Sequence, residues 1–392
     1  MSVWNPYVFP VVVLALWAGL HVYAWFRIRW TVKAGPAMGN SIAIVLILLA
    51  CLYPFGRFLV DRLDARSGLL VLWPGSVYLG FFLTATTIML VFDGGFSLPC
   101  LVLRRLGVLG RRAAALAETF GRVALPVAGA VSVVLCVMGV MNVFESPPVT
   151  RIEKVMPGLP PQLDGFRLVQ VSDIHAGYLA GAENLDKVAA RVKELDADLV
   201  VVTGDLVDDP MGGDGTAIRE IASLPARYGV LAVTGNHEYR TGAENTVYNM
   251  RRNGLTLLRQ ENRVIAGGLV VAGVDDMDFL GGLLGTAPAL LKALQGAPAN
   301  LPVVLLSHRP VKWDVAAHAG VDLMLCGHTH GGQVFPLHLV LKRIYDGFLS
   351  GRYEIGGMTL YVNNGVGFWG PPMRIMADPE VLLVTLRSTG GK

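Results

Sequence analysis

Residues 199–208 read Leu-Val-Val-Val-Thr-Gly-Asp-Leu-Val-Asp. A short run of β-branched residues is the pattern of a buried strand, and its abrupt end in Gly-Asp is the pattern of a turn at the carboxyl end. The same figure recurs on both sides. Upstream, the run 166–172 leads into Asp173-Ile-His175; downstream, 230–234 leads into Gly235-Asn236-His237-Glu238. Further on, 303–307 ends in Ser307-His308, and 323–326 leads into Gly327-His328-Thr329-His330. Strands are also predicted at 269–274, 359–363 and 381–386, and Leu185, Val188, Val192 and Leu195 recur at helical spacing, which predicts an amphipathic helix over 184–195. Strands alternating with helical patterns predict an α/β domain. In open α/β sheets ligands bind beyond the carboxyl ends of the strands. Five polar clusters at such ends converge on one place if the strands are parallel neighbours.

The residue types in those clusters name a chemistry. The chain has 8 histidines, and His175, His237, His308, His328 and His330 all fall inside the clusters. His21 lies in an apolar stretch, and His318 and His338 read as structural or surface residues. Imidazole nitrogens mixed with carboxylate oxygens suit divalent Mn, Fe, Zn or Co. Two such ions roughly 3.5–4 Å apart can clamp the attacking and leaving oxygens of a phosphoryl displacement. That arrangement needs one bridging carboxylate, and Asp205, freed by Gly204 to turn sharply after its strand, is the choice. Singly, each cluster has a plainer explanation: Gly-Asp is often only a turn, and Asn236 could be a helix cap. Gly-His-Thr-His is more specific, since histidines at i and i+2 share one side of an extended segment. The conjunction in this order carries the reading.

These blocks together resemble the signature of the calcineurin-like metallophosphoesterases. Gly331-Gly332-Gln333 and the late run Asn363-Asn-Gly365-Val-Gly367 leading to Pro379-Glu380 are similar to its bacterial membrane-associated branch. The resemblance implies a four-layer sandwich, two mixed β-sheets packed together with helices outside. It implies that Asp173, His175 and His330 hold one metal, that Asn236, His308 and His328 hold the other, and that Asp205 bridges them. His237 would stay off the metals and protonate the leaving oxygen. Asp208 and Glu238 would orient a ligand or His237. The segment after Asp209 departs from the family, with no Glu at the spacing some branches show. Asp275, Asp276 and Asp278 could approach the site from a strand end, but a solvated loop is the expected reading.

Outward from this domain the composition changes. The 392-residue chain is 53% hydrophobic with a mean hydropathy of +0.50, and the excess lies almost entirely before Phe144. Four uncharged stretches, 8–26, 37–56, 67–92 and 123–144, each approach the ~20 apolar residues that cross a bilayer. The expected organisation is a four-span transmembrane region over 1–148 and a catalytic domain over 149–392. Glu145-Ser-Pro-Pro-Val would be a short, stiff exit from the last span. Arg27, Arg29, Lys33, Arg104, Arg105, Arg111, Arg112 and Arg122 fall on one side of the spans; Arg57, Arg62, Arg66, Arg151 and Lys154 fall on the other. The positive-inside rule then places the catalytic domain of this multi-pass protein outside the cytoplasm, and the resemblance implies a bacterial cell membrane. The four cysteines form no CxxC pair, and a net charge of +3 without a basic patch gives no reason to expect nucleic acid.

The expected function is hydrolysis of a phosphate mono- or diester by a hydroxide that two divalent ions activate. The substrate expected is membrane-associated or part of the cell envelope, with a lipid-linked phosphoester among the candidates. A nucleotide-lipid pyrophosphate hydrolase is the alternative and would want a cytoplasmic face. A non-catalytic membrane sensor would show degenerate ligands, whereas every expected one is present. A transporter would want charged residues in the predicted spans, and there are none.

Overall fold

The four uncharged stretches become long helices: α1 (Val8–Thr31), α2 (Pro36–Arg62), α3 (Ala65–Phe92) and, after the π-helical turn Asp93–Ser97 and α4 (Leu98–Arg105), α5 (Arg111–Phe144). The computed structural model describes residues 8–62, 65–179, 182–208 and 215–389. Among the described residues, four helical runs are long and apolar enough to cross a membrane, Val11–Thr31, Pro36–Arg62, Ser67–Arg105 and Arg111–Phe144. They run past the predicted stretches because helical hydrogen bonding does not stop at the apolar boundary, and long basic side chains at a helix end can reach back to water. The third run therefore takes in Asp93, which Tyr23 Oη contacts at 2.7 Å and Arg27 Nη2 at 3.0 Å. α2 and α3 pack through glycines. A Cβ on Gly56 would lie 2.5 Å from Leu72 Cα, and one on Gly75 would lie 2.7 Å from Tyr53 N. In lipid, where no hydrophobic drive separates helix from tail, such close backbone approach supplies the packing.

By its internal contacts the chain divides into Met1–Gly139 and Val140–Lys392, so the last turn of α5 belongs with the second unit. That unit continues through β1 (Val149–Val155), β2 (Phe166–Val171), α6 (Ala182–Lys193), β3 (Leu199–Thr203), α7 (Thr216–Ala222), β4 (Val230–Val233), α8 (Asn236–Arg240) and α9 (Ala243–Arg252). It goes on through β5 (Thr256–Leu257), β6 (Glu261–Ile265), β7 (Leu269–Gly273), α10 (Leu283–Ala293), β8 (Val303–Leu306) and α11 (Trp313–His318). β9 (Leu323–Cys326), α12 (Leu337–Ile344), β10 (Gly351–Ile355), β11 (Met358–Val362) and β12 (Val381–Arg387) complete it. All eight predicted strands are present within a residue at each end.

Two six-stranded sheets form, in the orders β1-β12-β2-β3-β4-β5 and β10-β11-β9-β8-β7-β6. Both are mixed: β2, β3, β4 and β5 run parallel, with β12 antiparallel to β2. β11, β9, β8 and β7 run parallel, with β10 and β6 antiparallel at the edges. Side chains alternate across each strand, and the cores show it. Leu168, Val201, Val233, Val271, Leu306, Leu325 and Val384 share the core between the sheets. Val169, Val171, Val200 and Val202 turn the other way, against Leu185, Val188, Ile218 and Val247 of α6, α7 and α9. Ala272, Leu305, Met324 and Cys326 likewise turn toward Leu290, Ala293 and Ala316 of α10 and α11. Helices, sheet, sheet, helices: this is the four-layer sandwich expected.

Candidate metal centre

The parallel strands of both sheets deliver their carboxyl ends to one place. β2 leads into Asp173 and His175, β3 into Asp205 and Asp208, β4 into Asn236 and His237, β8 into His308, and β9 into His328 and His330. The turns are tight enough to force left-handed backbone on residues that resist it. Asp173 (φ 53°), His175 (φ 52°), Asp205 (φ 51°), His328 (φ 71°) and His330 (φ 52°) all adopt it. Such positions cost on the order of 1–3 kcal/mol each and persist only where the surroundings hold them.

All seven predicted ligands are brought together. Ligand atoms of Asp173, His175 and His330 lie within 4.8 Å of one another, as do those of Asp205, His308 and His328. His175 Nε2 faces His330 Nε2 at 2.9 Å. His308 Nε2 faces Asn236 Oδ1 at 3.1 Å and His328 Nδ1 at 3.1 Å. Asp205 stands between the groups, its Oδ2 3.2 Å from His308 Nε2 and 3.7 Å from His175 Nε2. A third set of donors, His175, Asp208 and His237, adjoins the first.

These donors fit metal cations. His308 Nδ1 donates to the Thr203 carbonyl at 2.7 Å, so in a neutral ring Nε2 points its lone pair at the Asp205 carboxylate and the Asn236 carbonyl. Only a positive charge makes that arrangement favourable, whether a proton or a metal. Burial opposes charge on His308, but the Asp205 carboxylate overcomes it and, with Asp173 and Asp276 behind, pushes the ring up to about 10. His175, likewise opposed by burial, is pushed up to about 9, chiefly by Asp208. His328 and His330 are held well below the ordinary imidazole range, first by burial and then by Arg309 beside one and Arg374 beside the other. They remain neutral and offer lone pairs. Burial works against the charged Asp205 carboxylate, yet His308, His237 and His175 keep it well below the carboxylate range.

The supporting residues are more informative than their sequence positions. Asp208 pairs with Nδ1 of His175 and lies 2.7 Å from Nδ1 of His237, so one carboxylate orients a predicted ligand and the predicted acid. The Glu238 carboxylate instead serves backbone amides. Its two oxygens accept from the amides of Asp205, Leu206, Val207 and Gly235 at 2.7–3.2 Å, which fixes the turn carrying Asp205. The expectation of a solvated loop for Asp275 and Asp276 is wrong. Both are 2% exposed, because Arg259 Nε binds Asp275 at 2.8 Å and Arg309 Nε binds Asp276 at 3.0 Å. Two arginines made the buried carboxylates tolerable, and neither is near them in sequence. The first residues of the segment after Asp209, 210–214, lie outside the described residues.

Arg374 escaped the sequence reading altogether. It is 1% exposed. Nε donates to the Gly367 carbonyl at 2.8 Å, and Nη2 reaches the Asn364 carbonyl at 2.7 Å and His330 Nδ1 at 3.0 Å. It therefore ties the loop after β11 to a predicted ligand. The Asn363–Gly367 run was its only signal, and nothing in the sequence placed Arg374 within it. Trp369, whose ring centroid lies 6.0 Å from that of His237, was equally invisible.

Comparison with known proteins agrees with the geometry. Residues 166–332 match the family described as calcineurin-like phosphoesterase. A transmembrane protein with metallophosphoesterase domain from Bos taurus is 34% identical over 272 residues, covering 66% of this chain and 61% of that protein. The match thus spans less than two thirds of that relative. An uncharacterized metallophosphoesterase of Aquifex aeolicus is 34% identical over 57% of this chain and 86% of its own length. The uncharacterized metallophosphoesterase YkuE of Bacillus subtilis is 32% identical, with 59% and 82% covered.

Proposed function

The chain belongs to the calcineurin-like metallophosphoesterase family, and from that premise we propose that it is a membrane-anchored, metal-dependent phosphoesterase with a dinuclear centre. The observation that carries this reading is the position of Asp205 Oδ2, between His175 at 3.7 Å and His308 at 3.2 Å. Asp173, His175 and His330 would hold one divalent ion, Asn236, His308 and His328 the other, and Asp205 both. The ions would supply Lewis acidity, activating water as a nucleophile and neutralising charge on the phosphoryl oxygens. Mn, Fe, Zn and Co all suit this mixture of imidazole and carboxylate. The protein's own groups do the rest. Glu238 fixes the Asp205 turn, Asp208 holds His175 and His237 by their Nδ1 atoms, and His237 turns Nε2 toward the centre to protonate the leaving oxygen. No covalent intermediate is called for.

The substrate is a phosphate mono- or diester, and the four apolar helices favour one carried by the membrane or the envelope. The Lys/Arg asymmetry around those helices supports a catalytic unit outside the cytoplasm of a bacterial cell.

The test is hydrolysis of nitrophenyl phosphate and bis(nitrophenyl) phosphate by the full-length protein in nanodiscs, after chelation and after adding back each metal. Metal-restored turnover that Asp205→Ala abolishes is expected. Turnover indifferent to chelation would refute the reading. C-terminal reporter fusions check the topology: alkaline phosphatase should be active and a cytoplasmic reporter silent.

A further inference from the structure

One helix of the catalytic unit buries none of its residues. In α12 (Leu337–Ile344, Leu-His-Leu-Val-Leu-Lys-Arg-Ile), no side chain is buried. Leu337, Val340 and Ile344, spaced i, i+3 and i+7 on one stripe, are 38%, 53% and 40% exposed, and Leu339, well round the helix from them, is 60% exposed. An eight-residue helix is not stable in water on its own propensity and normally owes its order to burial of such a stripe. Lys342 and Arg343 are exposed, Arg343 on the flank of the stripe and Lys342 on the face opposite it, by helical spacing.

The helix itself adjoins the edge of the metal centre. α12 starts a few residues after His330, and a Cβ on Gly332 would meet His338 at 2.4 Å. The loop after β11 holds the same short segment from the other side: Gln333 Nε2 donates to the Trp369 carbonyl at 2.8 Å, and the Ile375 amide donates to the Gln333 carbonyl at 2.7 Å. That loop exposes two more large apolar side chains, Trp369 at 49% and Met376 at 78%. It also receives the end of the last apolar helix. Within the catalytic unit, Val143 packs against Phe368 and Asn142 Nδ2 donates to Asp378 at 2.8 Å. The loop that presents Trp369 and Met376 is thus held by the turn where the chain leaves its last span.

We propose that α12, with Trp369 and Met376, lies on an anionic phospholipid bilayer, so that the metal centre opens at the lipid surface and takes its phosphoester from an amphiphile held there. The proposal rests on the reading of the chain as a membrane-anchored phosphoesterase. The chemistry is that of an interfacial helix: an apolar stripe at the acyl boundary, basic side chains reaching the lipid phosphates, and an indole at the headgroup level. Each basic residue near an anionic surface favours the docked state by roughly fivefold, from about 1 kcal/mol apiece.

The experiment uses the full chain in nanodiscs, with Cys51→Ser and Cys100→Ser, and an environment-sensitive fluorophore on Val340→Cys. In phosphatidylglycerol discs the emission should shift to the blue, and lipids carrying a quencher in the acyl chain should quench it. In phosphatidylcholine discs, and in phosphatidylglycerol discs after Lys342→Gln and Arg343→Gln, both signals should weaken severalfold. A probe that stays water-exposed in both lipids overturns the proposal. So does one shifted to the blue but untouched by lipid quenchers, which would mean a second copy covers the helix. Hydrolysis of bis(nitrophenyl) phosphate by the same samples separates the two readings. Turnover without lipid contact sinks only the docking surface, and no turnover under any metal sinks the phosphoesterase reading.

Discussion

Truncation of His237 to alanine tests the assignment of the proton donor with little collateral damage. Its imidazole is held by Asp208 at Nδ1, 2.7 Å away, and its Nε2 stands 4.0 Å from Asp205 Oδ2. Arg240 Nη1 lies 3.5 Å from the same nitrogen, the outer limit of a hydrogen bond, and leaves it open to a leaving oxygen. The residue's other contribution is its backbone amide, which donates to Asp205 Oδ1 at 2.8 Å and survives the substitution. Asp208 keeps His175 as a partner. The stability cost is then that of one lost partner at a carboxylate, about 1–3 kcal/mol. General acid catalysis contributes roughly 10²–10⁴-fold, and only where the leaving group needs a proton. Nitrophenolate needs little help and an alkoxide needs a great deal. His237→Ala should therefore slow alkyl phosphodiesters by two or more orders of magnitude relative to nitrophenyl ones, a differential of about 3 kcal/mol or more. The assay is kcat/KM for both substrates, with metal content by elemental analysis on the same preparation. Equal losses on the two substrates, or a missing metal equivalent, would refute the assignment.

Arg374→Met should lower stability by several kcal/mol, because it leaves the Gly367 and Asn364 carbonyls without their donor, and each buried unsatisfied group costs about 1–3 kcal/mol. Thermal unfolding should show it, and Arg374→Lys should recover only part of the loss, because an ammonium cannot reach both the Gly367 carbonyl and His330 Nδ1. Chelation should lower the unfolding temperature of the catalytic unit, since an ion at a thousandfold over its Kd stabilises by about 4 kcal/mol. Calorimetry before and after metal is restored checks this. Gly235→Ala places a Cβ 2.1 Å from Asp205 Oδ1 and 2.5 Å from Asp205 N. Activity should fall below detection while circular dichroism still reports a folded protein.

The strands that escaped the sequence reading share a physical cause. β1, β5, β6 and β10 are the four edges of the two sheets. An edge strand lacks a neighbour on one side and tolerates charge, which also guards it against pairing with other chains. β1 reads Val-Thr-Arg-Ile-Glu-Lys-Val and β6 reads Glu-Asn-Arg-Val-Ile. Neither contains the apolar run that marks a central strand. The interior strands, buried on both faces, had no such freedom and were plain.

The membrane helices, the interior strands and all seven candidate ligands were legible because each is a local matter. A span is a length of apolar chain, a buried strand is a run of β-branched residues, and a metal-binding turn must spell out its donors within a few residues of its strand. What holds those donors was settled only by folding. Asp208 serves His175 and His237 together, Glu238 gathers the amides of the Asp205 turn, and Arg309 makes a buried carboxylate of Asp276. Arg374 reaches His330 across 44 residues of chain. Buried charges need partners, and which partner arrives depends on how two sheets stack, a long-range contact that no local pattern encodes.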